Sequence, residues 1–158
     1  MKRITIQDAN ILLDLVKTGL FDHCLALPFQ FITTSIILDE LYPGQIAIVQ
    51  PHINSGKFTV QEITGEELEA INLLTITNTH LSEQDWSAYY FAEKLNALLL
   101  TGDKRLKAIA DKKGIEAHGI LWLPDMLVDT TVLAKKDAHA FLEALVLKNK
   151  RLPAHECE

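Results

Sequence analysis

Four acidic side chains stand at points of the chain where a strand or a helix is predicted to begin or end. They are Asp8, Glu40, Asp85 and Asp103. Asp8 follows a short β-type run and Asp103 follows a run of leucines, so each is predicted to leave a strand and enter a helix. Carboxylate oxygens are the ligands that hard ions such as Mg²⁺ and Mn²⁺ prefer. If the fold brings these acids together, the chain has a pocket suited to a divalent metal ion.

Three of these acids also have a structural interpretation. Asp8 and Asp103 are placed to cap the helices that follow them, and Asp85 is spaced from Ser82 as in a capping box. A cap of this kind contributes about 1 kcal/mol to helix stability. Capping alone could therefore explain three of the four carboxylates.

Glu40 is harder to explain as a cap. It is predicted to lie inside a short helix, on the face that carries Ile36 and Ile37. Asp85 in turn aligns with Ala88 on the packed stripe of its own helix. Isolated buried carboxylates are unfavourable, whereas a shared cation would offset their repulsion and keep them ionised.

The elements that must position these acids alternate between strand and helix patterns. Strands are predicted at 3–7, 27–33, 98–100 and 115–118, and helices at 8–19, 35–41, 64–74, 82–95, 104–113, 121–128 and 137–147. Within 46–63 the pattern fits either a helix or a strand at its start and an exposed strand at its end. The alternation predicts an α/β domain with a mainly parallel sheet, in which ligands bind beyond the carboxyl ends of the strands.

Length and composition predict one folded domain over residues 1–158. Hydrophobic residues make up 48% and charged residues 23% of the chain, with no repeat and no apolar run long enough to cross a bilayer. No secretory pattern opens the sequence, and two distant cysteines do not suggest a disulfide framework. We therefore expect a cytoplasmic protein without a membrane partner, ending in a polar tail at 151–158.

The distribution of charge matters more than its sum. A net charge of −6 argues against a nucleic-acid partner, because phosphate binding depends on Lys and Arg. However, Lys104, Arg105 and Lys107 crowd directly after Asp103, where they are candidate RNA-binding residues. The alternative is an ordinary solvated helix face.

The acidic segments resemble, in order, the four motifs of PIN-domain nucleases. The matching segments are Gln7-Asp8-Ala9-Asn10, Ser35-Ile36-Ile37-Leu38-Asp39-Glu40-Leu41, Leu81-Ser82-Glu83-Gln84-Asp85 and Leu100-Thr101-Gly102-Asp103. The resemblance runs over about 3–118, and a helical part at 119–150 follows it. Within the family, the chain is most similar to small prokaryotic single-domain proteins, including VapC-type toxins.

This resemblance implies a three-layer α/β/α fold and hydrolysis of RNA phosphodiester bonds with Mg²⁺ or Mn²⁺. Asp8, Glu40, Asp85 and Asp103 would be the catalytic metal ligands, and the auxiliary polar groups beside them would be Asn10 and Thr101. It also implies RNA as substrate, a small antitoxin whose tail enters the acidic groove, and a homodimer. Exposed apolar residues near Trp86 or Leu123 are candidate dimer contacts.

Two other functions stay open from the sequence. A phosphohydrolase of the haloacid-dehalogenase kind would also place an acid at Asp8 and a late Gly-Asp pair. It would require a second Asp where Asn10 stands and a further acid around Lys107, and both are missing. The third possibility is a non-catalytic PIN-like binding module whose carboxylates serve as caps and salt bridges.

Overall fold

The computed structural model describes residues 2–148, so the predicted tail at 151–158 lies outside it. In chain order the elements are β1 (Arg3–Gln7), α1 (Ala9–Thr18), α2 (Phe21–Cys24), β2 (Phe29–Thr34), α3 (Ser35–Leu38), α4 (Pro43–Asn54), β3 (Phe58–Gln61), α5 (Gly65–Thr77), α6 (Glu83–Lys94), β4 (Leu98–Leu100), α7 (Lys104–Lys112), β5 (Ala117–His118), α8 (Trp122–Asp129) and α9 (Lys135–Lys148). Among residues 2–148, no helix combines the length and the apolar character that a membrane span requires.

The five strands form one parallel sheet in the order β3-β2-β1-β4-β5. At its centre, Ile6 of β1 lies opposite Ile32 of β2 on one side and Leu99 of β4 on the other. The chain passes from β1 outward to β2 and β3, and then returns to β4 on the far side of β1. The strand order therefore reverses between β1 and β4, which is where open α/β sheets bind their ligands.

Two groups of helices enclose the sheet. The helices α1, α2, α4, α8 and α9 pack among themselves, and α5, α6 and α7 form the second group. The core between these layers buries large aromatic side chains, including Phe31, Phe58, Trp86 and Phe91. This arrangement confirms the predicted three-layer α/β/α fold with a parallel sheet.

Local capping signals mark the starts of three helices as predicted. Asp8 caps α1 by accepting a hydrogen bond from the backbone N–H of Ile11. Thr64 opens α5 in a capping box, and Ser82 opens α6 in a second box with Asp85. These helices begin where the sequence predicts because the capping bonds join residues only three positions apart.

Residues 46–63, which the sequence leaves ambiguous, divide between a helix and an edge strand. The first part belongs to α4, which holds Pro51 in its interior, and the second part forms β3 beside β2. The strand predicted from residue 27 begins instead at Phe29, because the short α2 and a turn come before it.

The two residues near which dimer contacts are predicted, Trp86 and Leu123, themselves lie in the core. Trp86 is 2% exposed and Leu123 is fully buried. Large exposed hydrophobic residues of the described chain include Tyr42, Leu73 and Ile76, and the last two lie on α5, which packs against α6. That exposed apolar residues near Trp86 or Leu123 form a dimer contact stays a prediction.

Candidate active site

Asp8 lies at the carboxyl end of β1 and is only 1% exposed. Its carboxylate accepts hydrogen bonds from the Ile11 backbone N–H at 2.8 Å and from the Thr101 hydroxyl at 2.5 Å. Burial away from water raises the pKa of Asp8 from 3.8 to about 6, against the lowering effect of these hydrogen bonds. The negative charge of Asp85 is a second, smaller cause of this raised pKa, so the two carboxylates lie close enough to repel each other.

Thr101 connects Asp8 to Asp103. The Thr101 hydroxyl donates to Asp8 Oδ2 and accepts the backbone N–H of Asp103 at 3.1 Å. Asp103 caps α7 by accepting the backbone N–H groups of Arg105 at 2.8 Å and Leu106 at 3.1 Å. One buried hydroxyl thus joins the ends of β1 and β4 at the point where the strand order reverses.

Asp85 lies in the first turn of α6 and is half-buried. Its Oδ2 accepts the backbone N–H of Ser82 at 3.2 Å, and its own backbone N–H donates to the Ser82 hydroxyl. The capping interpretation is therefore correct for this residue. It does not exclude a second role, because a carboxylate has more acceptor positions than this single bond uses.

Glu40 differs from its prediction. The helix α3 ends at Leu38, so Glu40 lies in a turn beyond it with an exposed side chain rather than inside a helix against apolar residues. The helix stops early because the chain must turn into Pro43, which occupies the start of α4. The Glu40 carboxylate instead accepts the side-chain amide of Gln84 at 2.6 Å.

Gln84 is the residue at this site that sequence reasoning missed. It directly precedes Asp85 in α6, so its bond to Glu40 connects two of the acidic motifs. A glutamine in the first turn of a helix has no distinctive signal, and the two partners are 44 positions apart.

The predicted auxiliary and basic residues surround this region. Asn10 is exposed in the first turn of α1, two positions after Asp8. Lys104 and Arg105 are exposed in the first turn of α7, where Asp103 is the cap, and Lys107 pairs with Asp111 at 3.3 Å.

The carboxylates fit a hard divalent cation in their chemistry. Over residues 2–148, no three His, Cys, Asp or Glu side chains already form a group that could hold a metal ion. Mg²⁺ commonly binds through only one or two carboxylates and completes its shell with water and substrate phosphate oxygens. The repelling pair of Asp8 and Asp85 matches that mode. That all four acids hold a metal stays a prediction.

The sheet order and the acids at its reversal point define a PIN-type domain. A family model described as a PIN domain (DUF3368) matches residues 4–158. The chain therefore belongs to the PIN-domain family, and the resemblance seen in its motifs is confirmed.

Two individual proteins are similar to this chain. Endoribonuclease Nob1 of Methanocaldococcus jannaschii is 31% identical over 93 residues, which cover 58% of this chain and 47% of that protein. The chain thus spans about half the length of this curated relative. The crystal structure of PAE2754 from Pyrobaculum aerophilum superposes with a TM-score of 0.54 at 20% identity, covering 81% of this chain and 98% of that one. At this identity the second likeness shows the fold alone.

Proposed function

We propose that this chain is a metal-dependent endoribonuclease that hydrolyses RNA phosphodiester bonds. The observation that carries the proposal is the buried carboxylate of Asp8, whose pKa burial and the charge of Asp85 raise to about 6. A strongly perturbed acid at the ligand-binding end of a parallel sheet is typical of a functional site. Membership of the PIN family and the similarity to an endoribonuclease point to the same reaction.

In this proposal the four carboxylates contact the cation in different ways. Asp8 and Asp85 would bind Mg²⁺ or Mn²⁺ directly, with Glu40 and Asp103 acting on it directly or through water. When bound, such an ion makes a water molecule more acidic and stabilises charge on the phosphate. Thr101 orients Asp8 by donating to its Oδ2, which favours the ionised form that a cation needs.

Binding of RNA would use the basic first turns of α7. Lys104 and Arg105 directly follow the cap residue Asp103, and Lys107 lies about one turn further along α7. Their charges can neutralise backbone phosphates on either side of the scissile bond. Asn10, exposed near Asp8, would be an auxiliary polar contact.

A narrower proposal is that the nuclease is the toxin of a toxin–antitoxin pair and acts in the cytoplasm. It is supported by the similarity of the motifs to small single-domain PIN proteins. In that role the chain would form a homodimer, and a small antitoxin would cover the acidic groove.

Cleavage of RNA by the purified chain, with Mn²⁺ and with a chelator, tests the proposal. We expect Mn²⁺-dependent cleavage that Asp103→Asn lowers by roughly 100-fold or more, since changing even the outer partners of a metal site costs about 10- to 100-fold. Asn retains the helix cap, so the fold should survive. The matched control is Asp129→Asn at the exposed end of α8, which should cleave like the native chain. Equal cleavage by Asp103→Asn and the native chain would remove Asp103 from the site, and no cleavage by the native chain would favour the non-catalytic binding module.

A further inference from the structure

Two polar side chains of α6 hold the segment that carries Glu40. Ser87 shares a hydrogen bond of 2.9 Å with Thr34, at the start of α3, and both residues are fully buried. Gln84 donates its side-chain amide to Glu40 Oε1 at 2.6 Å, just beyond the end of α3. Positions 84 and 87 lie on one face of the helix. The α3 segment is therefore attached to α6 at both of its ends.

Gln84 is not explained by the stability of α6. The first turn of a helix favours acidic side chains because of the helix dipole, and the neighbours Glu83 and Asp85 follow that preference. An acid at position 84 would repel Glu40, whereas an amide donates to it. The bond is at the surface, where an interaction of this kind contributes little to folding.

We propose that Gln84 is a positioning residue for Glu40, a role that rests on the proposed function. The amide fixes the Glu40 carboxylate to the first turn of α6, the turn that also carries Asp85. Only Oε1 of Glu40 is used by this bond, and Oε2 keeps its acceptor capacity for a cation or its water. The rotational freedom of an exposed Glu is thereby lost before the cation arrives.

Mn²⁺ binding measured by calorimetry tests this role without reference to cleavage. Gln84→Met keeps the length of the side chain and removes the donor. We expect it to weaken Mn²⁺ binding about two- to tenfold, the range set by ordering one side chain on binding. The matched control is Gln50→Met on α4, where an exposed Gln donates to Asn54 at 2.9 Å, and it should bind Mn²⁺ like the native chain. Thermal unfolding without Mn²⁺ should be the same for both variants.

A double-mutant cycle separates positioning from a general structural effect. If Gln84 acts through Glu40, then adding Gln84→Met to Glu40→Gln should change Mn²⁺ binding no further. Native-like or tighter binding by Gln84→Met, or an equal loss in the Glu40→Gln background, would overturn the positioning role and leave the proposed nuclease intact. A native chain that binds no Mn²⁺ would overturn the proposed function and this inference together.

Discussion

At the scale of the residue, two sets of interactions have opposite effects on the ionisation of Asp8. It caps α1 and accepts a short hydrogen bond from Thr101, both of which favour the ionised form. Burial and the charge of Asp85 oppose ionisation. A cation between the two carboxylates would resolve this conflict, and this is the reason to propose that Asp8 binds one in addition to capping α1.

The raised pKa of Asp8 makes folding stability depend on pH. Because its pKa is about 6 in the folded chain and 3.8 when exposed, protonated Asp8 stabilises the fold fully below about pH 3.8. That contribution is lost as the pH rises through 6. The difference between a pKa of 3.8 and one of about 6 corresponds to roughly 3 kcal/mol. We expect metal-free Asp8→Asn to gain stability over the native chain across this window, measured by urea unfolding. A difference that does not change between pH 4 and pH 7 would contradict the linkage.

How much of the site the sequence could predict depends on the reach of each interaction. The capping roles of Asp8, Asp85 and Asp103 are predictable because each capping bond lies within three residues of its acid. The prediction that Glu40 lies inside a helix against apolar residues was wrong. Its actual surroundings depend on where α3 ends and on Gln84, which is distant in sequence. The buried hydrogen bond from Thr101 to Asp8 joins residues 93 positions apart, which is beyond the reach of a local sequence pattern.

At the scale of the element, α6 carries one acid of the candidate site, Asp85. It packs against β1, β2 and β4 and contacts α3, α5 and α7. Small residues on its buried face, such as Ala88 and Ala92, allow this close approach. The sequence predicted that packed face from its spacing, but the identity of the neighbours depended on the order of the strands.

The buried bond between Ser87 and Thr34 should contribute to the stability of this arrangement. Ser87→Ala removes one partner and leaves the other hydroxyl with less hydrogen bonding away from water. We expect a loss of about 1–3 kcal/mol in the free energy of unfolding, measured by urea denaturation. Ser55→Ala is the control, because Ser55 is exposed at the end of α4 and should cost far less. A loss no larger than that of the control would show that the bond does not stabilise the α3 and α6 contact.

Short elements were the least predictable part of the fold. The helices α2 and α3 contain four residues each, too few for a hydrophobic period to appear. The edge strand β3 has pairing on one side only, so its position is set by β2 rather than by its own pattern.

At the scale of the whole molecule, the order of the strands places the ends of β1 and β4 side by side. The alternation of strands and helices predicted a parallel α/β sheet. The alternation alone does not predict that the chain crosses from β3 to β4 on the far side of β1. That crossing places the end of β4 beside the end of β1. That order follows from the packing of the complete chain, and it is what joins Thr101 to Asp8.

The distribution of charge over the molecule should affect KM for RNA. The chain is acidic overall, so binding of RNA would rely on the basic turns next to Asp103. We expect Lys104→Glu to raise KM for RNA several-fold with little change in kcat. The control is Lys112→Glu in the last turn of the same helix, with the same change of charge away from the acids. Equal effects of the two variants would mean that only the net charge matters.

Asp8 and Asp85 are proposed to converge on one divalent cation. The most direct measurement is anomalous diffraction from crystals of the native chain grown with Mn²⁺. We predict an anomalous peak about 2 Å from a carboxylate oxygen of each of these residues. Glu40 and Asp103 should contact the Mn²⁺ ion directly or through water. A peak elsewhere, or none at an Mn²⁺ concentration that supports RNA cleavage, would contradict it.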